Sequence, residues 1–238
     1  MKLLLIKLGK AFAAIRRDGI FIGGKRVLDY FFVFLENIFN FKSGDVLIIT
    51  AGVGDSALFR AHNQAEELNT HGIKTEVTIQ DNPFLSRFTD KFRVFVFHRT
   101  LYTRAIEKLI QKIKEQEKEI IFDTDDLVFD AELTQQTDHY KNMSYFEKKQ
   151  YEKGIGEEIL EDPYVRVCTT STQFIAKKLE KYGKRVFVVT NKLSNEWLAI
   201  ADKILKNNKK HISNKIRIGY FSGTVGHNKD FATISDTL

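Results

Sequence analysis

From residue 43 onward, short apolar runs alternate with stretches of helical periodicity, and nothing else in the sequence narrows the fold as much. DVLIITA (45–51), KTEVTIQ (74–80), FRVFVFH (92–98), EIIFD (119–123), YVRVCT (164–169) and RVFVVT (185–190) read as strands. Helical stretches lie between and after them. They are 56–70, 103–118 with Ile106, Leu109, Ile110 and Ile113 on one face, a polar region at 138–160, a helix ending near Gly183, and 194–207. The spacing from Thr170 to Gln173 predicts a capping box for the helix ending near Gly183. Continuous apolar runs of this kind suit strands buried on both faces. Their alternation with helices implies a parallel sheet covered on both sides, a Rossmann-like α/β fold. Ligands of such sheets bind at the carboxyl ends of the strands. The candidate site loops are therefore 51–56, 98–102, 123–130, 169–172 and 190–194.

The ends of the chain differ from this middle. Residues 1–42 hold Leu4, Leu8, Phe12 and Ile15, then Leu28, Phe31, Leu35 and Ile38, at helical spacing. Residues 1–26 carry seven basic residues against one acid, Asp18. Lys7 and Lys10 interrupt the apolar run and no small-residue cleavage site follows it, so a signal peptide is not the expectation. Two readings stay open for the segment: a helix packed on the domain body, or peripheral attachment to an anionic membrane. At the other end, 206–215 is polar and charged and reads as a linker. A new strand (216–223) and helix start follow it. One strand and one helix cannot bury a core. The expectation is a truncated second α/β domain at 216–238, after a Rossmann-like domain at 43–205. The single cysteine, Cys168, permits no internal disulfide. It fits a reducing cytoplasm and argues against a zinc site. The net charge of +6 fits nucleic acid, anionic membranes or phosphorylated substrates equally. No basic patch with interleaved aromatics lies near the candidate loops, which makes nucleic acid an unexpected partner.

Four motifs fall on those loops. AGVGDSA (51–57) places Gly52, Gly54 and Asp55 between a strand and a helix, as a phosphate-binding turn, a plain tight turn, or a turn that makes room for substrate. With Asp81 after the next strand, a dinucleotide reading is open as well. FHRT (97–100) puts His98 and Arg99 at a strand end. His98 suits a general base or a hydrogen-bond donor, or is a satisfied half-buried histidine. Arg99 suits a phosphate or a pairing with the acids of 123–126. IIFDTDDLVFD (120–130) gathers Asp123, Asp125, Asp126 and Asp130. These acids suit helix caps, a divalent metal, or the paired acids that receiver domains of response regulators carry at strand ends. Asp123 directly follows a buried strand and is the functional candidate among them. YFSGTVGHNKDF (220–231) brings Ser222, Gly223, Thr224 and Lys229 to one strand-to-helix turn, as a diphosphate site requires; the plain alternative is an ordinary turn.

Taken together, DSALFRAHNQAEELNTHGI, FHRTLYTRAIEKLI, IIFDTDDLVFD, CTTSTQFIAKKLEKYGKRVFVVTNKLSNEWL and IRIGYFSGTVGHNKDF resemble GT-B glycosyltransferases of family 4, particularly those that build bacterial surface polysaccharides. The resemblance runs from about Asp45 to the C-terminus. It implies two Rossmann-like domains facing a cleft, an acceptor on the N-terminal one, a nucleotide sugar on the other, and no metal or other cofactor in catalysis. It places residues 51–60, including Arg60, and His98 on the acceptor side. Asp123, Asp125 and Asp126 would line the cleft, with Ser171 and Thr172 in the family's Ser-Thr turn. Ser222, Gly223, Thr224 and Lys229 would face the donor diphosphate. The family's Pro-Asn-Gly after the last N-domain strand reads Thr190-Asn191-Lys192 here, and its acidic donor-binding segment is absent.

The expected function is transfer of a sugar from a nucleotide diphosphate to a glycan or lipid-linked acceptor, with His98 and Asp123 as catalytic candidates. The parent of this chain is expected to do that chemistry and the 238-residue piece to do little of it. The expected location is the cytoplasm, including the inner face of the cell membrane. The alternative is a non-catalytic acceptor- or membrane-binding module, working with a partner chain that carries the donor domain.

Overall fold

A computed structural model describes residues 2–39, 43–136, 138–141, 143, 145–149, 151–207 and 219. The six expected strands form at β1 Val46–Thr50, β2 Thr75–Ile79, β3 Val94–His98, β4 Glu119–Thr124, β5 Val167–Thr170 and β6 Arg185–Val188. They make one all-parallel sheet in the order β2-β1-β3-β4-β5-β6. Sequence-adjacent β2 and β3 lie on opposite sides of β1. The winding therefore reverses between β1 and β3, and the carboxyl ends of these two strands flank the crevice of a Rossmann-like fold.

The two faces of the sheet are filled unequally. Leu47, Ile49, Phe95, Phe97, Ile120, Phe122 and Cys168 point to the thicker side. They meet Ile106, Leu109, Ile110 and Ile113 of the helix Arg104–Glu115, and Ile175 and Leu179 of the helix Gln173–Leu179. Thr103 caps the first helix by accepting from the Ile106 amide at 3.3 Å. The opposite side holds a small cluster, Ile48, Ala61, Ala65 and Val77, with Val46 and Val96 partly buried against it. Its alanines come from a continuous helix over 55–70. That helix is built of an α turn (Asp55–Ala57), a π segment (Leu58–His62) and an α segment (Asn63–Thr70).

Some sequence expectations change. The cap of the helix Gln173–Leu179 is Thr172, whose hydroxyl accepts from the Ile175 amide at 3.3 Å; it is not Thr170. β5 runs on through Thr170, and the chain turns only afterwards. The polar region 138–160 breaks into short helices, of which Asp138–Lys141, Tyr145–Lys148 and Glu157–Glu161 are described. At the N-terminus a helix spans Lys2–Phe39 with a break at Gly19 (φ 80°, ψ 165°), a conformation glycine takes readily. No described helix is long and apolar enough to cross a membrane. The 216–238 unit lies outside the described residues except for Gly219, as does most of the 206–215 linker.

Candidate functional site

One row of sheet register builds the floor of the site. Thr50 pairs with His98, His98 with Asp123, and Asp123 with Thr169. Registered neighbours in a parallel sheet lie about 4.8 Å apart and point to one face. The three ends β3, β4 and β5 therefore present His98, Asp123 and Thr169 side by side, on the face that the 55–70 helix covers. Arg60, in the π segment of that helix, reaches down onto the row. Inserted π turns shift side chains out of the ordinary α-helical register and recur at functional sites.

Asp123 is saturated with donors. Its Oδ1 accepts from Arg60 Nη2 and, at 2.6 Å, from the Thr169 hydroxyl. Its Oδ2 accepts from Arg60 Nε at 3.3 Å and from His98 Nδ1 at 2.8 Å. Burial pushes the Asp123 carboxyl up. The His98 hydrogen bond and charge, then the Arg60 charge and hydrogen bond, outweigh burial and hold it below the usual carboxylate value. Arg60 Nη1 also donates to the Val189 carbonyl just after β6. Arg60 and Asp123 are both buried, so Arg60 stands behind the site as a brace.

Above this floor the network opens towards solvent. His98 Nε2 lies 2.9 Å from the Ser56 hydroxyl. Ser56 in turn lies 2.9 and 2.8 Å from the two Asp125 oxygens. Arg99 Nη1 donates to Ser56 Oγ and to Asp125 Oδ1, both at 3.3 Å, and Arg99 Nη2 is 3.6 Å from Asp126 Oδ2. Side-chain exposure rises along the path, from 2% at His98 through 15% at Asp125 and 24% at Arg99 to 60% at Asp126. Arg99 holds a left-handed backbone (φ 48°), which costs a non-glycine residue roughly 1–2 kcal/mol. Its amide continues the β3–β4 ladder by donating to the Asp123 carbonyl at 3.1 Å.

The remaining candidates sit around this centre. Gly52 follows β1, and its carbonyl accepts from the Thr50 hydroxyl. Gly54 and Asp55 are exposed, with Asp55 in the first helical turn, where a carboxylate suits the helix dipole. The Ser171 hydroxyl reaches the Asp125 carbonyl at 3.4 Å and so steadies the aspartate loop. Thr172 is the helix cap described above. Asn191 is exposed in a loop that the 55–70 helix clasps: Gln64 donates to the Thr190 carbonyl at 3.0 Å and Asn63 to the Lys192 carbonyl at 2.7 Å. Glu66 accepts from Asn195. Ser222, Gly223, Thr224 and Lys229 lie outside the described residues.

Compared with known protein families and with curated proteins, the chain matches none. The chemistry of the site therefore rests on its geometry. Sequence reasoning marked 51–60 and 169–172 but did not single out Ser56 or Thr169 within them. Ser56 was within reach, because it precedes Arg60 by four residues and so shares its helix face. Thr169 enters only through register.

Proton bookkeeping defines two states of the centre. The Asp123 carboxylate only accepts, so His98 Nδ1 must carry a proton. The one Ser56 proton has two acceptors within 2.9 Å. If it goes to Asp125, His98 Nε2 must donate to Ser56, and the imidazole is a cation. If it goes to His98, the imidazole is neutral and Nε2 is a base, and the Asp125 carboxylate, which only accepts, must turn away from Ser56 Oγ. No group of three or more His, Cys, Asp or Glu side chains among the described residues is arranged to hold a metal ion.

Proposed function

We propose that the chain is the acceptor-side portion of a glycosyltransferase, moving a sugar from a nucleotide diphosphate to a hydroxyl of a glycan or lipid-linked acceptor. The observation that carries this reading is the line Asp123–His98–Ser56, ending in carboxylates at the open rim of the β1/β3 crevice. In the neutral state of His98, an acceptor hydroxyl that replaces Ser56 Oγ finds a base already oriented by Asp123. The acceptor oxygen forms its bond to the sugar's anomeric carbon, and its proton passes to His98 Nε2. The bond from that carbon to the diphosphate oxygen breaks, and the diphosphate leaves with the electron pair. Asp123 stays ionised and steadies the imidazolium, much as the carboxylate does in a Ser-His-Asp triad. Asp125 and Asp126 accept hydrogen bonds from sugar hydroxyls. Ser222, Gly223, Thr224 and Lys229 are proposed as the diphosphate's holders, on the motif resemblance alone.

Label transfer from a panel of nucleotide sugars to glycan and lipid-linked acceptors, by a protein that joins this portion to a donor-binding portion, tests the reading, since the 238-residue piece by itself is expected to transfer little. Transfer should fall about 10²–10⁴-fold in His98→Ala. Full transfer by that variant sinks the role given to His98. Lack of transfer with every donor sinks the reading itself.

The same distances favour one second reading. A hydroxyl 2.9 Å from a histidine that is itself 2.8 Å from a carboxylate is the arrangement of an acyl-transfer nucleophile. Covalent labelling of Ser56 by a fluorophosphonate, with ester turnover lost in Ser56→Ala, selects it. An unlabelled Ser56 rules it out.

A further inference from the structure

The surroundings of Ser56 choose between the two states of His98. A hydroxyl has one proton to give and two lone pairs to fill. Ser56 Oγ has His98 Nε2 at 2.9 Å, the Asp125 oxygens at 2.9 and 2.8 Å, and Arg99 Nη1 at 3.3 Å. With the proton given to Asp125, one lone pair accepts from Arg99 and the other from a proton on His98 Nε2. With the proton given to His98, two carboxylate oxygens face the hydroxyl oxygen at 2.8 and 2.9 Å with no hydrogen between them. The observed placement of Asp125 therefore belongs to the imidazolium state. Charge agrees. The His98 side chain is 2% exposed, and a buried cation needs compensation. The charged groups of the network are Asp123 on β4, Asp125 and Asp126 in the loop after β4, Arg60 on the 55–70 helix and Arg99 after β3. Three carboxylates meet two guanidiniums, and an imidazolium brings the network to neutrality.

We infer that Asp125 sets the protonation of His98 through Ser56. Closed on Ser56, it holds the imidazole as a cation; drawn away by a sugar hydroxyl, it leaves Nε2 a base. In opening, the Nε2 proton passes to Ser56 Oγ as the Ser56 proton passes to Asp125, which releases it to water at the rim. Ser56 is left a hydroxyl, and His98 keeps the Nδ1 proton that Asp123 accepts. The Ser171 hydroxyl holds the Asp125 carbonyl at 3.4 Å, so the carboxylate turns about its own side-chain bonds. Sugar binding and release of the base are then one event, and the empty site holds no free base. The inference rests on the reading of His98 as the base for an acceptor hydroxyl, but its test needs no sugar.

Nitrogen-15 NMR of the histidine-labelled full chain at neutral pH is that test, because the Nε2 shift separates a protonated from an unprotonated ring nitrogen. The His98 signal is assigned by its loss in His98→Gln, and circular dichroism checks the folding of each variant. Wild-type His98 should carry a proton on both nitrogens. In Asp125→Ala, and in the same-shape Asp125→Asn, the ratio of protonated to unprotonated Nε2 should fall at least about tenfold. Asp126→Asn removes a 60% exposed charge that pairs with Arg99, and should barely change the ratio. An unprotonated Nε2 in the wild type, an unchanged ratio in the Asp125 variants, or an equal fall in Asp126→Asn overturns the inference. None of these results bears on whether sugar is transferred, and a lack of transfer does not alter them, so the two failures are told apart.

Discussion

Asp123 shows how a single side chain is fixed by its neighbours. It is a buried carboxylate kept ionised by His98 and Arg60, with the Thr169 hydroxyl donating one more hydrogen bond. Breaking a buried pair from one side leaves an uncompensated charge. Arg60→Ala should therefore cost about 3–5 kcal/mol in urea unfolding. Because the folded pKa of Asp123 lies below its usual 3.8, this group's contribution is fully present above about pH 4 and is lost as pH falls through the folded value. Acid unfolding of Asp123→Asn should show a shallower stability loss below pH 4 than the wild type, and an identical slope would remove Asp123 from the acid response. Cys168 presents the opposite case. Burial, with the nearby Asp123 charge adding to it and Lys184 opposing it, pushes its thiol up to about 12. A thiol-reactive disulfide reagent at pH 8 should leave native Cys168 unmodified and label it at the rate of unfolding. Rapid labelling of the folded chain would contradict that.

The connection between β4 and β5 relies on glycine where the backbone passes close to its neighbours. At Gly154 (φ 75°) a Cβ would lie 2.0 Å from the Phe129 carbonyl oxygen. Neither the left-handed backbone nor that contact tolerates a side chain. Gly154→Ala is expected to destabilise by about 3 kcal/mol in denaturant titration, whereas an unchanged midpoint would show that the loop can move aside. The elements were largely legible in the sequence, since each strand announces itself through its own apolar run. Less legible was where they end. The Thr170–Gln173 spacing looked like a capping box, yet pairing with β4 carries β5 through Thr170 and moves the cap to Thr172. The π segment left no trace in periodicity, although it is what holds Arg60 over the register row.

Across the whole molecule, the sheet is supported unevenly. One face carries a continuous core of phenylalanine, leucine and isoleucine; the other carries a small alanine-rich cluster under the 55–70 helix. Phe95 and Val96 are adjacent but face opposite sides. Phe95→Ala should cost about 3–5 kcal/mol, and Val96→Ala clearly less, because Val96 is only partly buried. Equal losses would mean that both faces bear similar load. The thinner face is also the one whose strand ends carry His98, Asp123 and Thr169, so the polar row interrupts no large core.

The chain's own pattern determined the six strands, the helices between them and the loops where polar groups collect, because periodicity is a local property and burial on both faces leaves a continuous apolar run. It also marked His98, Arg99 and the aspartates of 123–126 as residues at strand ends. Only the tertiary structure decided that β2 and β3 flank β1, that His98, Asp123 and Thr169 share a row, and that Ser56 and Arg60 close on it from a distant helix. Strand order and register are set by which faces can pack together across the whole sheet, and that choice is not written in any single segment.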